Sequence, residues 1–278
     1  ANPTIDAVAL LLSDKPRPQS QRVILLRRGA PDAPALYCVP GLGANATDFV
    51  TLARHLRWEG DIHALQPTGF AGDESASSSI GDMASDYLHA ITEAGPFSGV
   101  LLGHSMGGLV ALEMVSRLKG QGVDAQLVLL DTQLSQATAL APSGRVPDEI
   151  DALMLYFDYS GGRAGSLDEG KLRSMPAKRR LRSVLRALHA QNPSTREDIE
   201  IAQRVLKVYL AHLRAVHDYH FTGQVPERVV YVAPRARART PLDDEPSFVA
   251  GRTERYMVAG DHLSMLRDPF APGLAACL

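Results

Sequence analysis

Short runs rich in Val, Ile and Leu recur at Arg22–Leu26, Ala35–Val39, Ile62–Gln66, Val100–Leu102, Leu127–Leu130, Arg228–Val232 and Arg255–Val258, and they read as strands. Between the earlier runs, apolar positions return at helical spacing over Thr47–Arg57, Ile80–Glu93 and Met106–Lys119. Strands alternating with helices predict a mostly parallel sheet covered by helices, the α/β class. The alternation stops after Leu130. About a hundred residues then pass before the next strand, far more than a core connection needs. They carry helical patterns at Pro147–Tyr159, Ala177–Ala190 and Arg196–His220 and no convincing strand. The pattern predicts a helical subdomain, residues 133–226, inserted into an α/β domain that runs from 22 to 278.

The front of the chain has a different pattern. Asn2–Leu12 is a short amphipathic helix with Pro3 near its start, where a missing N–H costs little. Ser13–Gln21, with two prolines among polar residues, reads as linker. The chain does not open on Met, and a helix followed by a linker suggests that residues 1–21 close another domain of a longer chain.

Composition narrows the class of function. A length of 278 residues with 45% apolar content suits one large domain with an insertion. A formal net charge of −2 argues against a nucleic-acid partner, because few phosphates would be neutralised. The two cysteines, Cys38 and Cys277, form neither a disulfide framework nor a spaced zinc site, so no metal is expected and a reducing compartment is the natural reading. No apolar stretch reaches the ~18 residues of a membrane span and no signal-peptide pattern opens the chain. A cytoplasmic protein without membrane contact is expected.

Candidate chemistry centres on Gly103-His104-Ser105-Met106-Gly107, a G-x-S-x-G match. Five residues alone are weak, but this match follows the strand Val100–Leu102 and opens a helix. That strand–turn–helix setting is the nucleophile elbow of an α/β-hydrolase fold, which lifts a serine hydroxyl above the carboxyl edge of the sheet. In such a fold the inserted helices lie over the mouth of the site as a lid. A serine needs a base. Of nine histidines, His262 stands in the turn Gly260-Asp261-His262 after the last strand, where a base is expected. His104 lies in the elbow at a position read as pointing away from the site. His189, His212, His217 and His220 fall on the inserted helices and His55, His63 and His89 on the scaffold, as surface or packing residues.

Two positions suit the acid that orients the imidazole. Asp131 stands at the rigid end of the strand Leu127–Leu130, and Asp243 and Asp244 lie in a Pro-containing loop after the next strand. Asp131 is favoured. Two backbone N–H groups must meet the tetrahedral intermediate. One is expected from Met106, and the other from the loop Pro40-Gly41-Leu42-Gly43, with Leu42 the first choice and Gly41 the second.

Together these residues resemble the thioesterase domain that ends nonribosomal peptide synthetases and related polyketide synthases. The likeness runs from about Leu36 to the end and rests on Val39-Pro40-Gly41-Leu42-Gly43, Gly-His-Ser105-Met-Gly-Gly, Leu-Leu-Asp131 and Gly-Asp-His262. In that family the acid takes the earlier position, that of Asp131. This chain has Pro40-Gly41 where many relatives carry Pro-Pro or His-Pro. Asn2-Pro3-Thr4-Ile5 followed by Ala7–Leu12 resembles the closing helix of a peptidyl or acyl carrier domain. The resemblance implies a chain-releasing enzyme with no cofactor of its own, whose acyl-thioester substrate arrives on the phosphopantetheine of an upstream carrier domain. Release is by hydrolysis or macrocyclisation. A stand-alone editing thioesterase, a carboxylesterase or lipase, and a non-catalytic receptor on the same fold are the alternatives. Carrier domains of this family are generally acidic around their arm, and Lys171, Arg173, Lys178, Arg179, Arg180, Arg182 and Arg186 make a basic stretch that could steer one.

Overall fold

In a computed structural model of the chain, seven strands form one sheet in the order β1-β3-β2-β4-β5-β6-β7. The structure describes residues 22–70, 74–93, 95–134, 145–160, 167–188, 196–235 and 253–278. The carrier-like front, residues 1–21, and the alternative acids Asp243 and Asp244 lie outside the described residues. The strands are β1 (Val23–Arg27), β2 (Ala35–Val39), β3 (Ile62–Leu65), β4 (Gly99–His104), β5 (Gln126–Leu130), β6 (Val229–Pro234) and β7 (Thr253–Val258). β1 pairs antiparallel with β3, and every other pairing is parallel. β4 sits at the centre of the order, and its Val100–His104 are all buried, as a strand covered on both faces must be. β7 is an edge strand, and Glu254, Arg255 and Tyr256 are exposed on it.

Helices α1 (Val50–His55), α2 (Ile80–Thr92), α3 (Met106–Gly120) and α8 (Ala271–Ala275) cover the two faces of the sheet. On one side, α2 and α3 close over Leu101, Leu127, Leu129 and Tyr231. On the other, Phe49, Leu52, Met265 and Leu274 pack on Leu36, Cys38, Val100 and Leu102. One expected helix is shorter than its pattern. In place of a helix over Thr47–Arg57, a 3-10 turn at Ala46–Phe49 leads into α1, which ends at His55. Asn45 explains that entry, because its side chain caps the turn and Asp48 caps it in return, which binds the first residues into a tight turn. The helix at Glu169–Ser174 and the closing α8 are too short for periodicity to reveal.

Between β5 and β6 lie four helices, α4 (Glu149–Tyr159), α5 (Glu169–Ser174), α6 (Ala177–Leu188) and α7 (Arg196–Asp218), with no strand among the described residues there. The insertion has an apolar core of its own, in which Ile150, Leu153 and Phe157 of α4 meet Leu172, Leu181, Val184 and Leu185. Ion pairs bind its polar side. Arg173 reaches Asp148 and Glu169, each at 2.8 Å, and Arg180 reaches Glu149 at 2.9 Å and the Leu172 and Met175 carbonyls at 3.1 Å. Two of the seven basic residues are therefore internal braces, whereas Lys178, Arg179, Arg182 and Arg186 are exposed along one face of α6.

Candidate active site

The elbow is built by close backbone approach. Gly107 passes so near β2 that a Cβ there would overlap the Val39 and Pro40 carbonyls. Ser105 adopts φ 55° and ψ −125°, a strained conformation for a residue with a side chain. Its N–H donates to the Leu130 carbonyl at 2.8 Å, and its own carbonyl accepts from Gly108 N–H at 3.0 Å. Bonds on both sides fix a conformation the residue would not choose alone, and the hydroxyl stands at the N-terminus of α3.

Asp131 leaves the end of β5 in the same manner, with φ 48° and its N–H bonded to the Val232 carbonyl at 2.8 Å. Its side chain is fully buried. His262 follows β7, in a turn where the Asp261 carboxylate accepts the Leu263 and Ser264 N–H groups at 3.0 and 2.8 Å. The three side chains meet. Ser105 Oγ lies 3.0 Å from His262 Nε2, and His262 Nδ1 lies 2.6 Å from Asp131 Oδ2. A hydroxyl so placed can pass its proton to Nε2 while its oxygen attacks a carbonyl, and the buried carboxylate holds the Nδ1–H tautomer and offsets the imidazolium that forms.

The loop after β2 borders the serine. A Cβ built on Gly41 would stand 3.1 Å from the Ser105 Cβ, and Leu42 lines the same cavity. Met106 opens α3, where a backbone N–H has no carbonyl a turn earlier in the helix to bond. The cavity holds about 170 Å³ and is bounded by Ser105, His262, Leu42 and, from the insertion, Tyr159 and Tyr209.

Two histidines have places that sequence reasoning missed. His104 does not point away from the site. Its ring lies 4.7 Å from that of His262, and its Nε2 makes a 2.8 Å bond with the His262 carbonyl. The x position follows the β4 alternation and places this ring beneath the base, which the motif pattern alone did not reveal. Burial, helped by the neighbouring His262, pushes its pKa down to about 4, so the ring is neutral and donates. His212, on α7, is 1% exposed and its Nδ1 accepts the Gly43 N–H at 3.2 Å. Burial pushes it down to about 4 as well.

A mostly parallel sheet, helices on both faces and a serine on a strained strand-to-helix turn define the α/β-hydrolase fold. The family model described as Thioesterase domain matches residues 34–274, and the chain belongs to that family of enzymes. It is 30% identical over 174 residues to the dimodular nonribosomal peptide synthase of Bacillus subtilis (strain 168), covering 61% of this chain and 7% of that one. Among solved structures it is similar to a four-domain nonribosomal peptide synthetase bound to AMP and glycine, with TM-score 0.76 and 21% identity over 92% of this chain and 20% of that one. It is similar also to the type II thioesterase BorB from the borrelidin biosynthetic cluster, with TM-score 0.60 and 21% identity over 92% of this chain and 96% of that one. Among the described residues no helix is long and apolar enough to cross a membrane.

Proposed function

We propose that this chain releases acyl chains from a phosphopantetheine carrier, with Ser105 as nucleophile, His262 as base and Asp131 as the acid that orients it. The observation that carries the reading is the unbroken chain of hydrogen bonds from Ser105 through His262 to Asp131, opening on a cavity beside the Gly41–Gly43 loop. As Ser105 Oγ bonds to the thioester carbon, its proton moves to His262 Nε2. The Leu42 and Met106 N–H groups stabilise the oxyanion. The C–S bond then breaks, the carrier thiolate takes the proton from Nε2, and an ester on Ser105 remains. Water, or an amine or hydroxyl of the chain itself, then bonds to the ester carbon as it gives a proton to Nε2, and Nε2 returns that proton to Ser105 Oγ as the ester bond breaks. Similarity to synthases of which the chain spans a small part supports an upstream carrier domain as partner.

The cavity of about 170 Å³ is below the ~300–1,000 Å³ usual for ligand pockets. Likeness to BorB over nearly the whole of both chains favours one second reading, a stand-alone enzyme that strips acyl groups from carriers. A fluorophosphonate should add one label per chain, mapping to Ser105, and Ser105→Ala should keep the fold and abolish release. Label on another serine refutes the assignment. The ratio of kcat/KM for carrier-bound thioesters to that for simple esters separates carrier-dependent enzymes from a general esterase.

A further inference from the structure

A buried histidine of the insertion, His212, bonds to the loop beside the serine, although it is none of the three side chains that meet there. Gly43 has φ +66°, and a Cβ on it would overlap the Tyr209 ring. Tyr209 and His212 stand three residues apart, so one face of α7 presents both to the same glycine. Within the loop, the Ala44 N–H donates to the Gly41 carbonyl at 3.2 Å, which leaves the peptide between Leu42 and Gly43 held from outside by His212.

We infer that His212 is a positioning residue: its Nδ1, presented by α7, fixes the Gly43 N–H and thereby the Leu42 amide, so the loop takes its working shape only while the inserted helices are docked. The inference rests on the functional reading, in which the Leu42 N–H meets the oxyanion. Its physical basis is the shortness of the lever. Leu42 and Gly43 share a peptide plane, so turning the Gly43 N–H away from His212 turns the Leu42 carbonyl with it and shifts the Leu42 amide one residue back. A neutral His212 is required, because only an unprotonated Nδ1 accepts. The burial that keeps this ring neutral agrees with that role.

The test compares His212→Leu, which fills the space without an acceptor, with His212→Asn, whose Oδ1 stands as many bonds from the backbone as Nδ1. The substrate is a small soluble thioester that needs no carrier. His212→Leu should lower kcat about 10–100-fold, less than or near the ~10²–10³ for deleting an oxyanion donor, with KM within about twofold. The Ki of a boronic acid, whose serine adduct places an oxygen in the same hole, should rise by the same factor. His212→Asn should recover most of both. Wild-type kcat in His212→Leu, an equal loss in the two variants, or a loss confined to KM overturns the inference. If the leucine variant does not fold, 15N-histidine spectra of the wild-type chain decide. The Nε2–H tautomer is expected at His212 at neutral pH, and the Nδ1–H tautomer overturns the bond. A wild-type chain that cleaves no thioester and takes no label refutes the functional reading instead, while the tautomer still reports on the contact.

Discussion

Acidification below neutral pH should weaken this fold through the two histidines buried at the site. His104 is 4% exposed and His212 1%. Burial pushes both from 6.5 to about 4, His104 with the help of the neighbouring His262. In the unfolded chain each takes up a proton near pH 6.5, whereas in the folded chain neither does until about pH 4. Between those values the unfolded state binds more protons, so stability falls as pH falls; above pH 6.5 both states are neutral there and the contribution is flat. The interval from 6.5 to 4 corresponds to about 3 kcal/mol for each histidine, a large share of a total near ~5–15 kcal/mol. His63, lowered chiefly by burial, acts in the same direction.

Urea unfolding from pH 7.5 to 4.5 measures the effect. At its steepest, two such protons give about 2.7 kcal/mol per pH unit, and His212→Asn should leave about half of that slope. A wild-type stability that is flat between pH 6.5 and 5, or a slope untouched by His212→Asn, refutes the reasoning. The same burial has a consequence for the proposed chemistry. A charged His104 stacked on His262 would oppose proton uptake by the base, and a neutral His104 leaves His262 free to accept from Ser105.

Asp131→Asn should preserve the fold and lower kcat by about 10²–10⁴ through the wrong imidazole tautomer, while Asp243→Asn and Asp244→Asn stay near wild type; reversed effects would assign the acid to Asp243 or Asp244. Changing Lys178, Arg179, Arg182 and Arg186 to Glu should raise KM for a carrier-bound substrate in a salt-sensitive way and leave turnover of a small thioester unchanged. If both substrates respond alike, the exposed face of α6 plays no part in docking. Arg180→Glu should instead lower stability, because Arg180 braces Glu149 and two carbonyls inside the insertion.

The sheet was legible because its strands are apolar runs between helices of helical period, and both ends of every one of these strands fall within two residues of expectation. Ser105, His262 and Asp131 were legible for a related reason: each stands just beyond a strand, where an α/β fold gathers its side chains. What escaped was set by tertiary contact. Nothing in Tyr209-Leu210-Ala211-His212 separates a buried acceptor from a helix-surface histidine, because the partner, Gly43, lies on a loop 169 positions earlier. The seven clustered basic residues read as one patch, yet the acids that claim Arg173 and Arg180 sit on α4 and α5 and at their caps, which charge counting cannot pair.

The place of the insertion has a mechanical consequence. Ser105, Asp131 and His262 are carried by the ends of β4, β5 and β7, and the Gly41–Gly43 loop by the end of β2, all anchored in one sheet. The insertion leaves that sheet after β5 and returns at β6, with its own apolar core. Its helices can therefore tilt without pulling apart the bond from His262 to Asp131, since neither residue belongs to them. The loop after β2 differs, because α7 touches it twice, through Tyr209 and His212. Opening of the insertion would thus release the loop while the three side chains stay assembled. Under the proposed function, an open insertion would leave Ser105 beside its base but without a positioned oxyanion loop, and attack would be slow until α7 docks again.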